Sequence, residues 1–368
     1  MAETSSHAAR TATMIMATIM VGAVVWWMRG ILTPFALALF LMVVIDGLAR
    51  VLEHRIPHFP KRAALPTAMV LTTLVLVLVV YVIADNASGF VSQLVAYMPR
   101  LRILAVRISG ELGIEAPQTV GQLVGQLNLP HYLSSIAGAF KDIASGAAFV
   151  LVYLIFLFIA RNSFDDKAHL LFSRPQSYEN AREVFVRIRT GVERYVWVQS
   201  FAGVLIAGAS WALMAVVGLD NALFWSFLIF TFCYVPILGG AIGILIPPIF
   251  ALVQFGGYEQ ALILVVGAEC IHFVVGNFIT PRLQGVTLNV DPVVVVLSLA
   301  FWGAIWGVPG MFLSTPLAVV AIVILIQFPN TRWLAVLLSR DGYPETYSAG
   351  PEDPSLPQRA VSRPARRS

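Results

Sequence analysis

Two titratable side chains lie close together in the middle of an apolar segment that spans residues 259–278. They are Glu269 and His272, and their three-residue spacing predicts that both lie on one face of a helix. A charged side chain at the centre of a bilayer costs about 2.5–3.5 kcal/mol, so something must compensate for Glu269. Such a pair could exchange a proton during a transport cycle. The alternative is a neutral Glu269 that forms a hydrogen bond with a neighbouring helix.

Proline and glycine interrupt two other apolar segments, 222–255 and 292–328. Proline withholds an N–H and frees a carbonyl one turn earlier, and glycine permits close approach or unusual dihedral angles. Freed carbonyls could coordinate a cation or a hydroxylated solute, and they are tolerated at membrane depth only where protein or a cavity satisfies them. We therefore predict a substrate-binding or gating role, although kinks are also ordinary in membrane helices. The residues concerned are Pro236, Gly239, Gly240, Gly307, Pro309 and Gly310.

Polar residues also border the loop that leads into the second interrupted segment. Asn277 offers two donors and an acceptor at the end of segment 259–278. Arg282 and Asp291 flank the loop itself, and we include them among the gating candidates. The alternative is that Arg282 and Asp291 only pair with each other across the loop.

Motifs of several other functional classes are missing from the sequence. No GxxxxGK[ST] loop, HExxH pair or GxSxG turn occurs, which argues against an ATP-driven pump, a zinc hydrolase and a serine hydrolase. His54 and His58 bracket Pro57, so their spacing does not define a metal site on one helix face. We expect a protein that is not an enzyme, with no catalytic residues, no cofactor and no bound metal.

The composition is that of a polytopic membrane protein. Hydrophobic residues make up 58% of the 368 residues, charged residues make up 12%, and the mean hydropathy is +0.81. The net charge of +4 comes from basic residues in a few intervening segments and the tail. These residues indicate how the chain is oriented in the membrane, and they predict no nucleic-acid partner.

The candidate spans are predicted from the apolar runs, and each interrupted segment adds one further unit, giving about eight. Arginine and lysine cluster after the second and fourth spans, which places those loops and both termini in the cytoplasm. The continuous spans are 11–28, 31–48, 64–84, 143–160, 195–217 and 259–278.

The chain is predicted to divide into six regions. They are a mobile N-terminus at 1–10; three spans within 11–85; extracytoplasmic amphipathic helices at 86–141; a fourth span and a cytoplasmic amphipathic helix at 142–194; a transport core at 195–330; and a largely disordered cytoplasmic tail at 331–368. The amphipathic helix is expected to run directly into the fifth span. Its basic face is expected to meet solvent and anionic lipid head groups.

The transport core contains two units of the same kind. Residues 195–255 and 259–328 each hold one span followed by an interrupted segment, and the two units enter the membrane from opposite sides. Such an inverted repeat is typical of secondary transporters. The fold class expected is therefore all-α, with two broken helical hairpins in an inverted repeat.

Several short motifs carry a resemblance to a known family. The runs Asn277–Gly285, Trp306–Gly310 and Thr315–Leu317, together with Asp291-Pro292, resemble the C-terminal signature of the autoinducer-2 exporter family. Tyr234–Gly240 resembles its other signature. The resemblance implies a permease-like protein of about eight spans in a bacterial inner membrane, and it adds Pro281 and Gly285 to the candidate residues.

Three functions are consistent with these observations. The leading one is secondary-active export of a small polar or amphipathic metabolite, such as a quorum signal. A sodium/proton antiporter and a non-transporting membrane scaffold are the alternatives. The partners expected are a small-molecule or ion substrate, membrane lipid and further copies of the chain in a homo-oligomer.

Overall fold

The apolar stretches of the sequence form helices throughout the computed structural model. It describes residues 19–78, 145–161, 175–284 and 289–342, with isolated positions before residue 19 and near residues 81 and 163–171. Within these ranges no residue belongs to a strand, so the fold is all-α. The mobile N-terminus, the amphipathic segment 86–141, Gly285 and the chain beyond 342 lie outside the described residues.

The first helices form a bundle at the N-terminal side of the described chain. A helical stretch over 19–27 precedes α1, Arg29–Arg55, which extends past the predicted span and into the basic loop. The next two helices are α2, Lys61–Leu78, and α3, Ser145–Arg161. Small side chains such as Ala38, Ala64 and Ala68 are fully buried in their shared core, which lets these helices approach closely.

The longest helix is α4, Pro175–Val217. Its 43 residues make it about 64 Å long, roughly twice the ~30 Å hydrocarbon core of a bilayer. The predicted amphipathic helix and the fifth span are therefore one continuous element, as the sequence indicated.

The first broken hairpin, hairpin 1, follows α4. It consists of α5, Ala222–Cys233, and α6, Leu238–Phe255, with a non-helical link of four residues between them. In that link the N–H of Leu238 donates to the carbonyl of Pro236 at 2.8 Å, and Ile237 has a φ of 70°. This is a γ-turn of the rare positive-φ kind.

A second long helix then precedes the second hairpin. It begins as α7, Tyr258–Val274, passes through a π-helical segment at Val275–Ile279 and ends as α8, Thr280–Gln284.

The second broken hairpin, hairpin 2, consists of α9, Pro292–Trp306, and α10, Val308–Leu325. Only Gly307 separates the two helices. A short helix, α11, Arg332–Leu338, follows and pairs with the start of the hairpin, where the N–H of Asp291 donates to the carbonyl of Leu338 at 3.1 Å. Ordered structure therefore extends into the segment 331–368 that was expected to be a tail.

The helices have the lengths and surfaces of a polytopic membrane protein. Within the described residues, six helices are long and apolar enough to cross a membrane, and α3, α5 and α9 are shorter apolar helices. Large apolar side chains face outward, among them Val216 at 87% exposure, and only lipid or another protein chain can cover such a surface. The order of elements in the core, a long helix followed by a broken hairpin, occurs twice.

Candidate functional site

The link of hairpin 1 contacts hairpin 2 through aromatic side chains. The ring of Tyr234, the first residue of the hairpin 1 link, lies 5.3 Å from the ring of Phe312 in the first turns of α10. Phe230 of α5 packs edge-on against Tyr234 at 5.7 Å, and Phe40 of α1 packs edge-on against Phe312 at 5.5 Å. The link of hairpin 1 thus contacts α10 of hairpin 2 five residues past Gly307, within one aromatic cluster.

Side chains of α4 bind the backbone of the hairpin 1 link. The hydroxyl of Tyr195 donates to the carbonyl of Tyr234 at 2.8 Å, and the amide Nε2 of Gln199 donates to the carbonyl of Cys233. Ser200 Oγ lies 2.7 Å from the hydroxyl of Tyr234. The carbonyls at this break were expected to be open to a solute, but donors from α4 occupy them.

The first break lies slightly earlier in the chain than the sequence indicated. The helix is interrupted from Tyr234 to Ile237, and Gly239 and Gly240 already belong to α6. Pro236 lies within the link. A Cβ on Gly239 would lie 2.7 Å from the Cα of Cys233, so this glycine allows α6 to fold back directly onto the end of α5.

The second break is shorter than predicted. Gly307 alone departs from helical geometry, with a φ of 67°, whereas Pro309 and Gly310 lie in the first turn of α10. Proline is favoured at a helix start because no intrahelical hydrogen bond is lost there, so Pro309 does not free a carbonyl as we had expected. A Cβ on Gly310 would overlap the carbonyl oxygen of Trp302, which shows how tightly α10 packs against α9.

The loop candidates lie away from the breaks. Asp291 accepts a hydrogen bond from the N–H of Val293 at 2.8 Å and is the N-cap of α9, at the opposite end of that helix from Gly307. Its carboxylate forms no ion pair with Arg282, so the alternative in which these two described residues only pair with each other is wrong. Pro281 and Arg282 are exposed on α8.

Asn277 lies in the π-helical segment, which the sequence did not predict. Its side chain is exposed and donates to the carbonyl of Phe273 at 3.0 Å, within its own helix. The π-helical segment packs against α4. Single-turn π segments are rare and occur frequently at functional sites, so Asn277 remains a functional candidate.

Glu269 and His272 have different surroundings on α7. Glu269 is exposed, whereas Nε2 of His272 is buried and has no hydrogen-bond partner among the described residues. The imidazole lies against α6, where a Cβ on Gly243 would be 2.8 Å from Nε2 and one on Gly240 would be 3.8 Å from Nδ1. His272 therefore fills a glycine-lined notch in hairpin 1.

A small cavity lies beside this notch, among α4, α5, α6 and α7. Its volume is about 10 Å³, and its lining includes Gly243, Ala268 and Ser210, whose hydroxyl is buried and unpartnered within the described chain. Such a volume suits about one water molecule and excludes an organic solute. Among the described residues no group of three or more histidine, cysteine or acidic side chains is arranged to hold a metal ion.

Sequence reasoning missed the α4 residues of the site. Tyr195, Gln199 and Ser200 lie in the predicted fifth span and were not among the candidate residues. The available signal was their spacing, since Tyr195 and Gln199 are four residues apart and place two donors on one helix face inside a predicted span.

A family model and several relatives match most of this chain. A family model described as AI-2E family transporter matches residues 15–330. The AI-2 transport protein TqsA of Escherichia coli strain K12 is 28% identical over 321 residues, covering 84% of this chain and 89% of TqsA.

Two further relatives are described by name as candidate transport proteins. One, from Haemophilus influenzae, is 28% identical over 340 residues, or 89% of this chain and 96% of its own. The other is YhhT of Escherichia coli strain K12, 24% identical over 312 residues, or 84% of this chain and 88% of its own.

Proposed function

The chain belongs to the AI-2E family of transporters, and on that premise we propose that it is a secondary-active exporter of a small polar or amphipathic metabolite. The observation that carries this proposal is the link of hairpin 1. The carbonyls of Cys233 and Tyr234, where α5 ends and the link begins, accept hydrogen bonds from side chains of α4, and the ring of Tyr234 contacts hairpin 2 at the same place. Side-chain donors can exchange partners without unwinding a helix, so a solute can take their place.

The lining of this region favours an uncharged solute. None of α5, α6, α9 and α10 contains a charged residue or a histidine. The groups that converge are the hydroxyls of Tyr195, Ser200 and Tyr234, the amide of Gln199 and the ring of Phe312. Hydroxyl and amide groups select by hydrogen bonding, and aromatic faces accept the apolar side of a small ring or chain. AI-2, the solute named for the relative TqsA, is therefore the first substrate to test.

We place the protein in a bacterial inner membrane with both termini in the cytoplasm. The supporting feature is the concentration of arginine at one end of the N-terminal bundle and α4, including Arg50, Arg161 and Arg189. The predicted inverted relation between the two core units depends on this orientation.

Proton coupling is proposed at the Glu269 and His272 pair. His272 is the member in contact with hairpin 1, through Gly243 and Gly240, and its Nε2 has no hydrogen-bond partner among the described residues. The exposed carboxyl of Glu269 lies within the span formed by α7, and a second copy of the chain would shield it from lipid. A homo-oligomer in contact with membrane lipid is part of the same proposal. Cross-linking in native membranes tests it.

The test of function is flux in proteoliposomes with the change Tyr195→Phe. This substitution removes the hydroxyl that donates to the carbonyl of Tyr234 and keeps the aromatic ring. We expect AI-2 flux to fall by roughly tenfold or more, because a lost hydrogen bond and an unsatisfied buried acceptor together amount to about 1–3 kcal/mol. Comparison of media from deletion and overexpressing cells identifies the solute if AI-2 is not moved.

The matched control is Tyr153→Phe. Tyr153 lies in α3, where its ring packs on Phe35 and its hydroxyl makes no hydrogen bond with the described chain. The chemical change is the same, and flux is expected to stay at the wild-type rate. Wild-type flux in a folded Tyr195→Phe protein would show that the α4-bound link is not the transport site.

A further inference from the structure

Charged side chains from three helices form an ion cluster at the arginine-rich end of the molecule. Its members are Asp46 and Arg50 of α1, Arg161 of α3, and Arg189 and Glu193 of α4. Arg161 lies 2.7 Å and Arg189 3.6 Å from the two carboxylate oxygens of Asp46. Arg189 also binds Glu193 at 3.0 Å, and Arg50 pairs with the same Glu193 oxygen.

The carboxylates of this cluster are largely removed from solvent. The side chain of Asp46 is 12% exposed and that of Glu193 is 18% exposed. A Cβ on Gly47 would lie 3.2 Å from the side chain of Glu193, so α1 and α4 cross closely at this point. Leaving one half-buried charge without its partner is costly, and the cluster therefore favours one relative placement of α1, α3 and α4.

An apolar layer formed by α1, α4 and α10 adjoins both the ion cluster and the hairpin 1 link. Phe40 of α1, Val192 of α4 and Leu313 of α10 are buried together; Phe40 precedes Asp46 by six residues, and Val192 directly precedes Glu193. Phe312 belongs to the same layer and contacts both Phe40 and Tyr234.

The same helix carries both the ion cluster and the donors that bind the break. Glu193 precedes Tyr195 by two residues and Gln199 by six, which is about 9 Å along an unbroken α-helix. A shift of α4 relative to α1 and α3 would therefore move the donors that bind the carbonyls of Cys233 and Tyr234.

We propose that Asp46, Arg161, Arg189 and Glu193 are positioning residues of the transport cycle, which lock α4 against the N-terminal bundle and thereby keep the link of hairpin 1 closed. Release of the cluster lets α4 shift, opens the apolar layer and frees the link. This inference rests on the proposed function for its role in transport, but the closure itself is measured without any solute.

Cys233 provides a reporter at the position that should open. This residue is 6% exposed, and its carbonyl accepts a hydrogen bond from Gln199. The other cysteine, Cys270, is exposed, and Cys270→Ser leaves Cys233 as the single thiol of the chain. The rate at which a membrane-permeant maleimide modifies Cys233 in proteoliposomes then measures how often the link opens.

In this background Asp46→Asn removes the charge that pairs with Arg161 and Arg189. We expect Cys233 to react about tenfold faster, while the elution profile and the unfolding midpoint show a folded protein. Arg189→Lys, which keeps the charge and loses the forked geometry, is expected to give an intermediate rate.

The matched control is Glu183→Gln, which breaks the exposed pair between Glu183 and Arg187 on the same helix. It should leave the rate at which the maleimide modifies Cys233 unchanged. An unchanged rate in both Asp46→Asn and Arg189→Lys, or an equal acceleration by Glu183→Gln, would overturn the positioning role. Faster reaction in Asp46→Asn together with absence of AI-2 flux in the wild-type protein would retain the closure and reject the proposed substrate.

Discussion

Hairpins 1 and 2 share an outline but differ in how their breaks are held. The link of hairpin 1 has four residues, and the carbonyls of Cys233 and Tyr234 at its start accept hydrogen bonds from side chains of α4. Hairpin 2 turns at the single residue Gly307, and its two arms are held by backbone contact at Gly310 and by Ser298, which donates to the carbonyl of Ser314 at 2.8 Å.

The difference separates an adjustable break from a fixed one. Hydrogen bonds from side chains can be exchanged through rotamer changes on fast timescales, whereas two helix backbones in contact can only slide or separate as units. Hairpin 1 is therefore suited to respond to a solute, and hairpin 2 is suited to act as the rigid wall against which Tyr234 packs.

The largest effect is expected from Gly310→Ala. The added methyl group would overlap the carbonyl of Trp302 and lie 2.9 Å from Cβ of Trp306, and neither backbone can yield. We expect a loss of about 3 kcal/mol or more in unfolding free energy, measured as a lower thermal midpoint in detergent. Gly239→Ala should cost less, since the four-residue link lets α6 move away from α5. Equal losses would remove the contrast between a fixed and an adjustable hairpin.

The control for both substitutions is Gly208→Ala. Gly208 lies in α4, where an added Cβ meets nothing within 4 Å. Alanine is favoured over glycine in a helix by up to about 1 kcal/mol, so the midpoint should stay the same or rise.

A smaller effect, of opposite sign in the two hairpins, is expected at the residues with positive φ. Gly307 has φ 67° and ψ −144°, where alanine would be strained by about 1–3 kcal/mol. Ile237 has φ 70° and ψ −46° and already carries such strain in a β-branched residue that is 61% exposed. Gly307→Ala should lower the unfolding midpoint, and Ile237→Gly should raise it or leave it unchanged. A fall with Ile237→Gly would show that the γ-turn is not strained.

The smallest effect is expected at the start of hairpin 2, with Asp291→Ala. The substitution removes the N-cap bond to Val293 and should cost about 1 kcal/mol in unfolding free energy. Transport should be unchanged at equal amounts of folded protein, because α9 separates Asp291 from Gly307 by about 22 Å. Asp291→Asn keeps an acceptor at this position and should be neutral in both measurements. Reduced flux in either variant would show that Asp291 has a gating role.

The helices and the approximate positions of both breaks could be predicted from the sequence, because the length of an apolar run and its proline and glycine content are local properties. The continuity of α4 was likewise predictable from the apolar face that runs into the fifth span. The roles of individual glycines were not. Gly307 and Gly310 belong to one short motif, yet the first supplies a positive φ and the second a close backbone approach.

Most of the features that the sequence analysis missed are contacts between residues that lie far apart in the chain. Tyr195 and Gln199 precede the carbonyls they bind by 39 and 34 residues, and Asp46 precedes Arg161 by 115. Periodicity assigns each of these residues to a helix face but does not say which other helix meets that face. The π-helical segment has no periodic signal of its own, so Asn277 was predicted from its polarity and not from its geometry.

The shortness of α5 bears on how the protein is made. With 12 residues α5 is about 18 Å long and cannot cross a bilayer core of ~30 Å, so it cannot be released into lipid as an independent span when it emerges during synthesis. It has to enter together with α6, as a pair joined by an unwound link. Because α4 is synthesised earlier, its tyrosine and glutamine donors are already present to receive that link. The order of the elements along the chain thus allows the polar backbone of the break to enter the membrane with its partners in place.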